Sequence, residues 1–365
     1  MRILTRYVLR EFLVPFGYCL TGFVSIYVLF DLFASFSRMM EAKLPFGLAI
    51  AYFCGYLAPY FHYLVPAALM LATLYTMWSF CRHSEIIAMR ASGVSFLTIT
   101  LPLLSVAAVM ALLVAYVNES YVPRHAHWAA QMKTVQFNLE RLQKADNVVY
   151  RNARDNRTWN VDRMLDDEGR HLEKVRISVD REGGVRLRTI EADRADYLDG
   201  EWWLSGTRVQ HHDSRGQEIA TPTPELDRLE LRCFDELTEK PADFIMQNRP
   251  WKYNSVGDRF RYLSTHPDLT AAVRGEYMYD IWAQIMSPFA CIIITLFAIP
   301  AGIASGRQSV FKGILGALGM FFSFYGVTIG CMVVAKNGWC NPILAAVLPA
   351  VIFLILGARA FYRQR

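Results

Sequence analysis

The sequence predicts an α-helical membrane protein with six transmembrane helices, three before and three after an inserted all-β, jellyroll-like domain. Three observations lead there. Apolar runs of helix length crowd the first third of the 365-residue chain, and three more close it; each reaches the roughly 20 residues that a bilayer crossing needs. The stretch between them, from Asn118 to Tyr277, holds most of the charged side chains and is too polar to enter lipid. Within it, short β-branched and aromatic runs alternate with turn residues, the pattern of a sandwich or roll. The chain therefore divides into residues 1–118, an N-terminal transmembrane half; 119–277, an extramembrane domain with a β core at about 147–235; and 278–365, a C-terminal transmembrane half.

The spans are expected at about 12–33, 58–80, 96–117, 279–303, 310–335 and 341–361. An even number puts both termini on one side, and the basic residues choose which. One face collects Arg2, Arg6, Arg10, Arg82, Arg90, Arg307, Lys312, Arg359, Arg363 and Arg365; the short loops opposite hold Arg38, Lys43 and Lys336. The positive-inside rule then makes the termini cytoplasmic and puts the large domain outside. In a bacterium with two membranes, that means a multi-pass protein of the inner membrane with a periplasmic domain. The net charge of +5 is explained by these flanks, and no basic stripe with interleaved aromatics points to nucleic acid.

Arg2, Arg6 and Arg10 recur every four residues and stack on one helix face. They read either as an interfacial amphipathic helix or as plain topology anchors. The apolar run that follows is too long for a signal-peptide core and lacks a small-residue cleavage site, so it reads as a retained first span. Asp31, Asp280 and Lys336 fall near predicted span ends, leaving His62 as the main ionisable group inside a span. So sparse a set argues against an ion-coupled transporter.

In the central domain Val175-Arg176-Ile177-Ser178-Val179 and Val185-Arg186-Leu187-Arg188-Thr189 read as strands. Asp199-Gly200 before Trp202-Trp203-Leu204 reads as a hairpin turn into an aromatic strand. Further turns are expected at Asp155-Asn156, Asp167-Glu168-Gly169, Glu182-Gly183-Gly184 and Ser214-Arg215-Gly216. Tyr121 to Lys144 looks helical, as do Ser255 to Leu263 and Asp268 to Tyr277, with Asp268 as a cap.

Enzyme chemistry finds little support. Of seven cysteines only Cys233 lies in the central domain, and there is no CxxC pair. His125-x-His127 and His211-His212 lack the further ligands and supporting shell of a metal site, so neither metal nor cofactor is expected. No G-x-S-x-G or H-E-x-x-H motif occurs. Gly302 to Arg307 lacks the Lys-Ser/Thr of a phosphate loop, so the chain has no P-loop for ATP. Any active transport must then draw its energy from a partner.

The loop after span 2 reads Arg82-His83-Ser84-Glu85-Ile86-Ile87-Ala88-Met89-Arg90-Ala91-Ser92-Gly93. Ser84 is placed to cap a short helix. Glu85 near its start and Arg90 near its end both suit the helix dipole. Ile86, Ile87 and Met89 give it an apolar side, and Gly93 supplies the stop. The segment, about 82–93, is either a plain interfacial connector or a coupling helix that docks into a cytoplasmic partner.

These residues resemble the signature of the LptF/LptG (YjgP/YjgQ) permease family. Val65-Pro66-Ala67-Ala68-Leu69-Met70, the Ala192–Leu204 hairpin and the stretch from Trp282 through Pro288 to Phe297-Ala298-Ile299-Pro300 are similar to that family as well. With the 3 + domain + 3 layout, the resemblance spans essentially the whole chain. It implies the permease half of a lipopolysaccharide exporter, paired with a second LptF/LptG subunit and driven by the cytoplasmic ATPase LptB. Lipopolysaccharide would pass to the periplasmic β-jellyroll domains and on to LptC and LptA. The resemblance puts Glu85 at the ATPase contact, and with it the loop residues Arg82, Ser84, Ile86, Met89, Arg90 and Gly93. Where the family carries basic residues near the outer end of span 1, this chain has Phe30, Asp31 and Leu32; its cations come later, at Arg38 and Lys43, which become the candidate lipid-phosphate contacts. A permease for another lipid, or a membrane-anchored envelope scaffold or sensor, remains the alternative.

Overall fold

The first predicted span grows at both ends. Helix α1 runs Arg2–Glu41, 40 residues without a break. That is about 60 Å at 1.5 Å per residue, twice a hydrocarbon core of about 30 Å. Val8, Phe12 and Phe16 are buried, and so are Asp31, Ser35 and Met39. Both sets are spaced by four and therefore lie on one face. Ile3, Tyr18, Ile26, Phe30 and Phe33 stay exposed, the apolar outside expected of a helix bathed in lipid.

The computed structural model describes residues 2–138, 146–152, 155–166, 169–181, 185–213, 217, 219, 232–234, 236–266, 269–306 and 310–363. The chain forms two compact units, Met1–Ala129 with Thr270–Arg365, and Ala130–Leu269. The expected turns at Asp167-Glu168, Glu182-Gly183-Gly184 and Ser214-Arg215-Gly216, the Asp268 cap and Arg307 lie outside the described residues.

In the first unit α1 is followed by α2 (Phe46–Leu57), a 3-10 turn (Ala58–Tyr60), α3 (Phe61–Arg82), α4 (Glu85–Ala91) and α5 (Phe96–Tyr116). Ser95 caps α5 by accepting a hydrogen bond from the Thr98 backbone N–H. Then comes a π-helix (Val117–Ala126), which passes into α6 (His127–Thr134). Helix α6 ends at Thr134 in a turn where Gln136 and Phe137 take positive φ, and the last part of the helix expected to reach Lys144, residues 139–144, lies outside the described residues.

The second half supplies α9 (Ala271–Met286), α10 (Phe289–Gly306), α11 (Val310–Lys336) and α12 (Pro342–Tyr362). Among the described residues five helical segments are long and apolar enough to cross a membrane. The pair α9–α10, bent by 53° at its break, passes the same test when its two helices are taken together. Pro288 lies at the break, where it has no N–H to continue the ladder.

Helix α3 lies at the centre, packed on α1 and α10. Its Val65, Leu69, Met77 and Phe80 join Val8, Phe12, Leu103 and Ile299 in one core. The approach to α10 is close: a Cβ on Gly302 would lie 2.6 Å from Met77 Cβ and 3.0 Å from the Leu74 carbonyl oxygen. Without a large difference in polarity between lipid and side chain, such small-residue contacts are what hold membrane helices together. Lys336 Nζ sits 2.7 Å from Glu276 Oε1 and 3.8 Å from Asp280 Oδ1, so two of the charges noted at span ends, Asp280 and Lys336, meet with Glu276 between α11 and α9.

The second unit is built on an antiparallel sheet of seven strands among the described residues: β1 (Asp146–Asn152), β2 (Arg157–Met164), β3 (His171–Asp180), β4 (Arg186–Leu198), β5 (Glu201–Ser205), β6 (Arg208–His211) and β7 (Arg232–Cys233). Neighbours follow sequence order through β5, which pairs with β7, while β6 shares the free side of the long β4. The hairpin predicted at Asp199-Gly200 forms with both residues at positive φ and Leu198 opposite Glu201, the geometry a two-residue turn demands.

Alternation buries Trp159, Val161, Val175, Ile177, Ile190 and Trp202. Helix α7 (Pro241–Asn248) then closes the core. Phe244 meets Tyr150, Trp159 and Trp202 at centroid distances of 4.9, 5.0 and 5.6 Å. Helix α8 (Val256–Thr265) follows, capped by Ser255, which accepts from the Asp258 N–H.

Beneath α7 lies a polar network. Arg157 reaches Glu239 at 3.0 Å and Asp155 at 2.5 Å, Asn152 donates to both carboxylates at 2.9 Å, and Trp202 Nε1 donates to the Glu239 carbonyl at 2.7 Å. Burial pushes the Glu239 carboxyl up, against the pull of Asn152 and Arg157. Partial burial of Asp155 works in the same sense, but the Arg157 bond and charge outweigh it and hold that carboxyl low.

Candidate functional site

The loop singled out by its sequence folds as α4, seven residues from Glu85 to Ala91. Its start differs from expectation. Ser84 occupies the cap position at φ 58°, and its side chain makes no capping bond. The left-handed residue instead turns the chain sharply out of α3, with the Ser84 N–H donating to the Cys81 carbonyl at 3.2 Å. The end is as expected. Gly93 stands at φ 84°, its N–H donates to the Arg90 carbonyl at 3.0 Å, and the Val94 N–H donates to the Met89 carbonyl at 3.1 Å. This is the Schellman arrangement, which favours glycine at that position.

The apolar side of α4 splits by depth. Ile86 is buried in the core that holds Val8, Phe12, Phe80, Phe96 and Phe361, and Met89 packs partly against it. Ile87 points away and is 60 % exposed. Ile86 therefore seats the helix, while Ile87, with the exposed Ala88 and Arg90, forms its outer surface. The sequence pattern grouped the two isoleucines; adjacent helix positions face about 100° apart, which separates them.

Glu85 is half-buried and is reached by Tyr7, whose hydroxyl donates to Oε2 at 2.9 Å. The Tyr7 ring stacks on Phe80 at 5.9 Å. Arg82 is exposed, its guanidinium 5.1 Å from the centre of the Trp78 ring, a cation–π contact. The surface around α4 thus carries a fixed carboxylate, two cations and an exposed isoleucine. Tyr7 escaped the sequence reading because it is 78 residues from Glu85.

Arg38 and Lys43 both lie exposed at the far end of α1. Arg38 is in the last turn, favoured by the helix dipole. Lys43 takes φ 48° and ends the helix as Gly93 ends α4, its N–H donating to Met40 and that of Leu44 to Met39. The chain bends after these residues, with Pro45 leading into α2.

Inside that corner lies a group the sequence placed near a span end. Asp31 is 1 % exposed and accepts a hydrogen bond from the Tyr52 hydroxyl at 2.8 Å. Tyr52, Tyr56 and Tyr60 are spaced by four, and Tyr60 meets Tyr27 of α1 at 4.8 Å. That spacing was the available signal, since it puts three tyrosines on one face.

An apolar cavity of about 230 Å³ lies deeper in the same unit, lined by Met70, Ile293, Phe297, Phe321, Phe324 and Phe353 among others. Among the described residues no group of three or more His, Cys, Asp or Glu side chains is arranged to hold a metal.

The first unit carries helices long and apolar enough to cross a membrane, and the second an antiparallel sheet. A search of curated proteins finds no match. The family described as Lipopolysaccharide export system permease LptF/LptG matches residues 6–363. That supports an inner-membrane transporter subunit in lipopolysaccharide export rather than an enzyme. Nearly the whole chain is covered, and the chain belongs to the LptF/LptG family.

Proposed function

We propose that this chain is a membrane subunit of an ABC exporter that extracts lipopolysaccharide from the inner membrane and hands it to a periplasmic protein bridge. A separate cytoplasmic ATPase of the LptB kind supplies the energy by gripping α4. A second LptF/LptG subunit completes the lipid path, and β-jellyroll proteins of the LptC and LptA kind receive the cargo. Both termini and α4 are cytoplasmic, the β unit is periplasmic, and Arg38 and Lys43 meet lipid phosphates at the outer interface.

The observation that carries the reading is the construction of α4 within a chain matched to this family over residues 6–363. Its inner side is anchored by Ile86, its carboxylate is oriented by Tyr7, and its outer side is left open. A passive connector has no need of a carboxylate held in one orientation; a lever for an ATPase does.

The test is co-purification from membranes. The chain should bring down an ATPase subunit and a second permease of the same layout, with lipopolysaccharide identified by mass spectrometry. Glu85→Lys should lower ATPase recovery while the permease stays folded. Recovery of a different lipid from the wild-type assembly would reassign the cargo.

A further inference from the structure

Two irregular stretches of the transmembrane unit meet at one polar cluster. The first is the π-helix Val117–Ala126, which continues α5 toward the β unit; the second is the break between α9, which returns from the β unit, and α10. Asn118 Nδ2 donates to Ser287 Oγ at 3.1 Å, and Gln284 Nε2 donates to the Asn118 carbonyl at 3.3 Å. Ser287 Oγ in turn donates to the Gln284 carbonyl at 3.0 Å. Asn118 is only 9 % exposed.

Two prolines explain why these atoms need one another. In an α-helix the Gln284 carbonyl would accept from the N–H four residues on, but that residue is Pro288, which has none. In a π-helix the Asn118 carbonyl would accept from the N–H five residues on, and that residue is Pro123. Each helix therefore carries a carbonyl its own ladder does not serve, in a region where water is scarce and an unpaired carbonyl is costly. Ser287 serves the first and Gln284 the second. The Asn118 side chain joins the two.

We propose that Asn118, Gln284 and Ser287 form a pin holding the outgoing helix and the returning helix at a fixed separation. The α5–π-helix segment and α9 then move as one body, and the bend at Ser287–Pro288 lets α10 swing against them. The three are positioning residues: they touch no cargo, and they carry movement of the membrane helices into both chain segments that lead in sequence to the β unit. Only this last step rests on the transport reading.

The test uses the full chain assembled with its ATPase and second permease subunit in nanodiscs. Spin labels go on Arg124→Cys and Arg274→Cys, both exposed, in a background lacking the seven native cysteines. The distance distribution should be narrow and identical without nucleotide and with trapped ADP–vanadate. Asn118→Leu should broaden it. Ser287→Ala, which removes one hydroxyl and leaves the fold intact, should do the same. Ser287→Ala removes both hydrogen bonds of the hydroxyl, so lipopolysaccharide released per ATP should fall severalfold, with hydrolysis retained. A distribution unchanged by Ser287→Ala, or a wild-type pair that separates on vanadate trapping, overturns the pin. A wild-type assembly that keeps the narrow distance but releases no lipopolysaccharide overturns the transport reading and leaves the pin standing.

Discussion

The Tyr7 hydroxyl donates a 2.9 Å hydrogen bond to Glu85 Oε2, joining the start of α1 to the first residue of α4. The ring is fixed on Phe80, so the carboxylate is oriented before any partner arrives. Tyr7→Phe keeps the stacking and removes only this bond. Tyr7 is 41 % exposed, so the loss should sit at the low end for a charged acceptor, about 1 kcal/mol. We expect ATPase affinity to fall about fivefold by titration of the purified permease, while Glu85→Lys abolishes measurable binding. Unaltered affinity in Tyr7→Phe would mean that Glu85 is not the recognised group.

The neighbouring isoleucines should separate stability from recognition. Ile86→Ala opens a hole beside Phe80 and Phe96 and should destabilise the protein by about 2–5 kcal/mol. Ile87→Ala, on the exposed side, should change stability by no more than about 0.5 kcal/mol yet weaken ATPase binding. Thermal unfolding in detergent and pull-down together decide it; equal effects of the two substitutions on melting would contradict the assigned faces.

Lys43 offers a substitution with two opposite effects. Its φ of 48° costs a non-glycine residue roughly 1–2 kcal/mol. Lys43→Gly should therefore raise the melting temperature while removing one of the two cations proposed to meet lipid phosphate. Combined with Arg38→Ala, it should lower lipopolysaccharide capture by the assembled complex. Full capture by the double variant would show that the phosphates are held elsewhere.

The β unit should respond to pH in two steps. The Glu239 carboxyl is pushed up by burial, so the stability it contributes grows as pH falls through that raised value and is complete below its unfolded value near pH 4. Asp155 is held low by Arg157; its contribution is present above its unfolded value near pH 4 and is lost as pH falls through the lower folded one. Stability of this unit should thus pass through a maximum on the acid side of neutrality. Glu239→Gln keeps an acceptor for Asn152 and should flatten the neutral-side slope. Hydrogen exchange of β2 amides across pH, corrected for intrinsic rates, measures both. A monotonic rise from acid to neutral in the wild type would mean that Glu239 stays ionised throughout.

Much of this was legible because local chemistry decided it. Asp199-Gly200 needs positive φ twice, Gly93 needs it once, and Ser255 is a cap followed by an N–H within reach. Apolar length alone located the spans. What escaped depended on partners distant in the chain. Ser84 has the right side chain for a cap, but the exit from α3 forces it left-handed. Pro288 sat inside a run that looked like one span, and hydropathy does not register a missing N–H. Asp31 looked like an end residue because α1 was expected to stop soon after it; the helix continues to Glu41, and Tyr52 makes the burial tolerable. Ile86 and Ile87 are alike until α1 and α5 show which side is covered.

Phe244 has a consequence for biogenesis. The aromatic interior it covers is assembled from residues 146–205, yet the ring that shields Trp159 and Trp202 arrives only with α7. At roughly 5–20 residues per second, the nascent sheet waits a few seconds with its apolar face bare after β5 has left the ribosome. Defects that slow elongation between β5 and α7 should appear as aggregated or degraded precursor, even though the finished protein is sound.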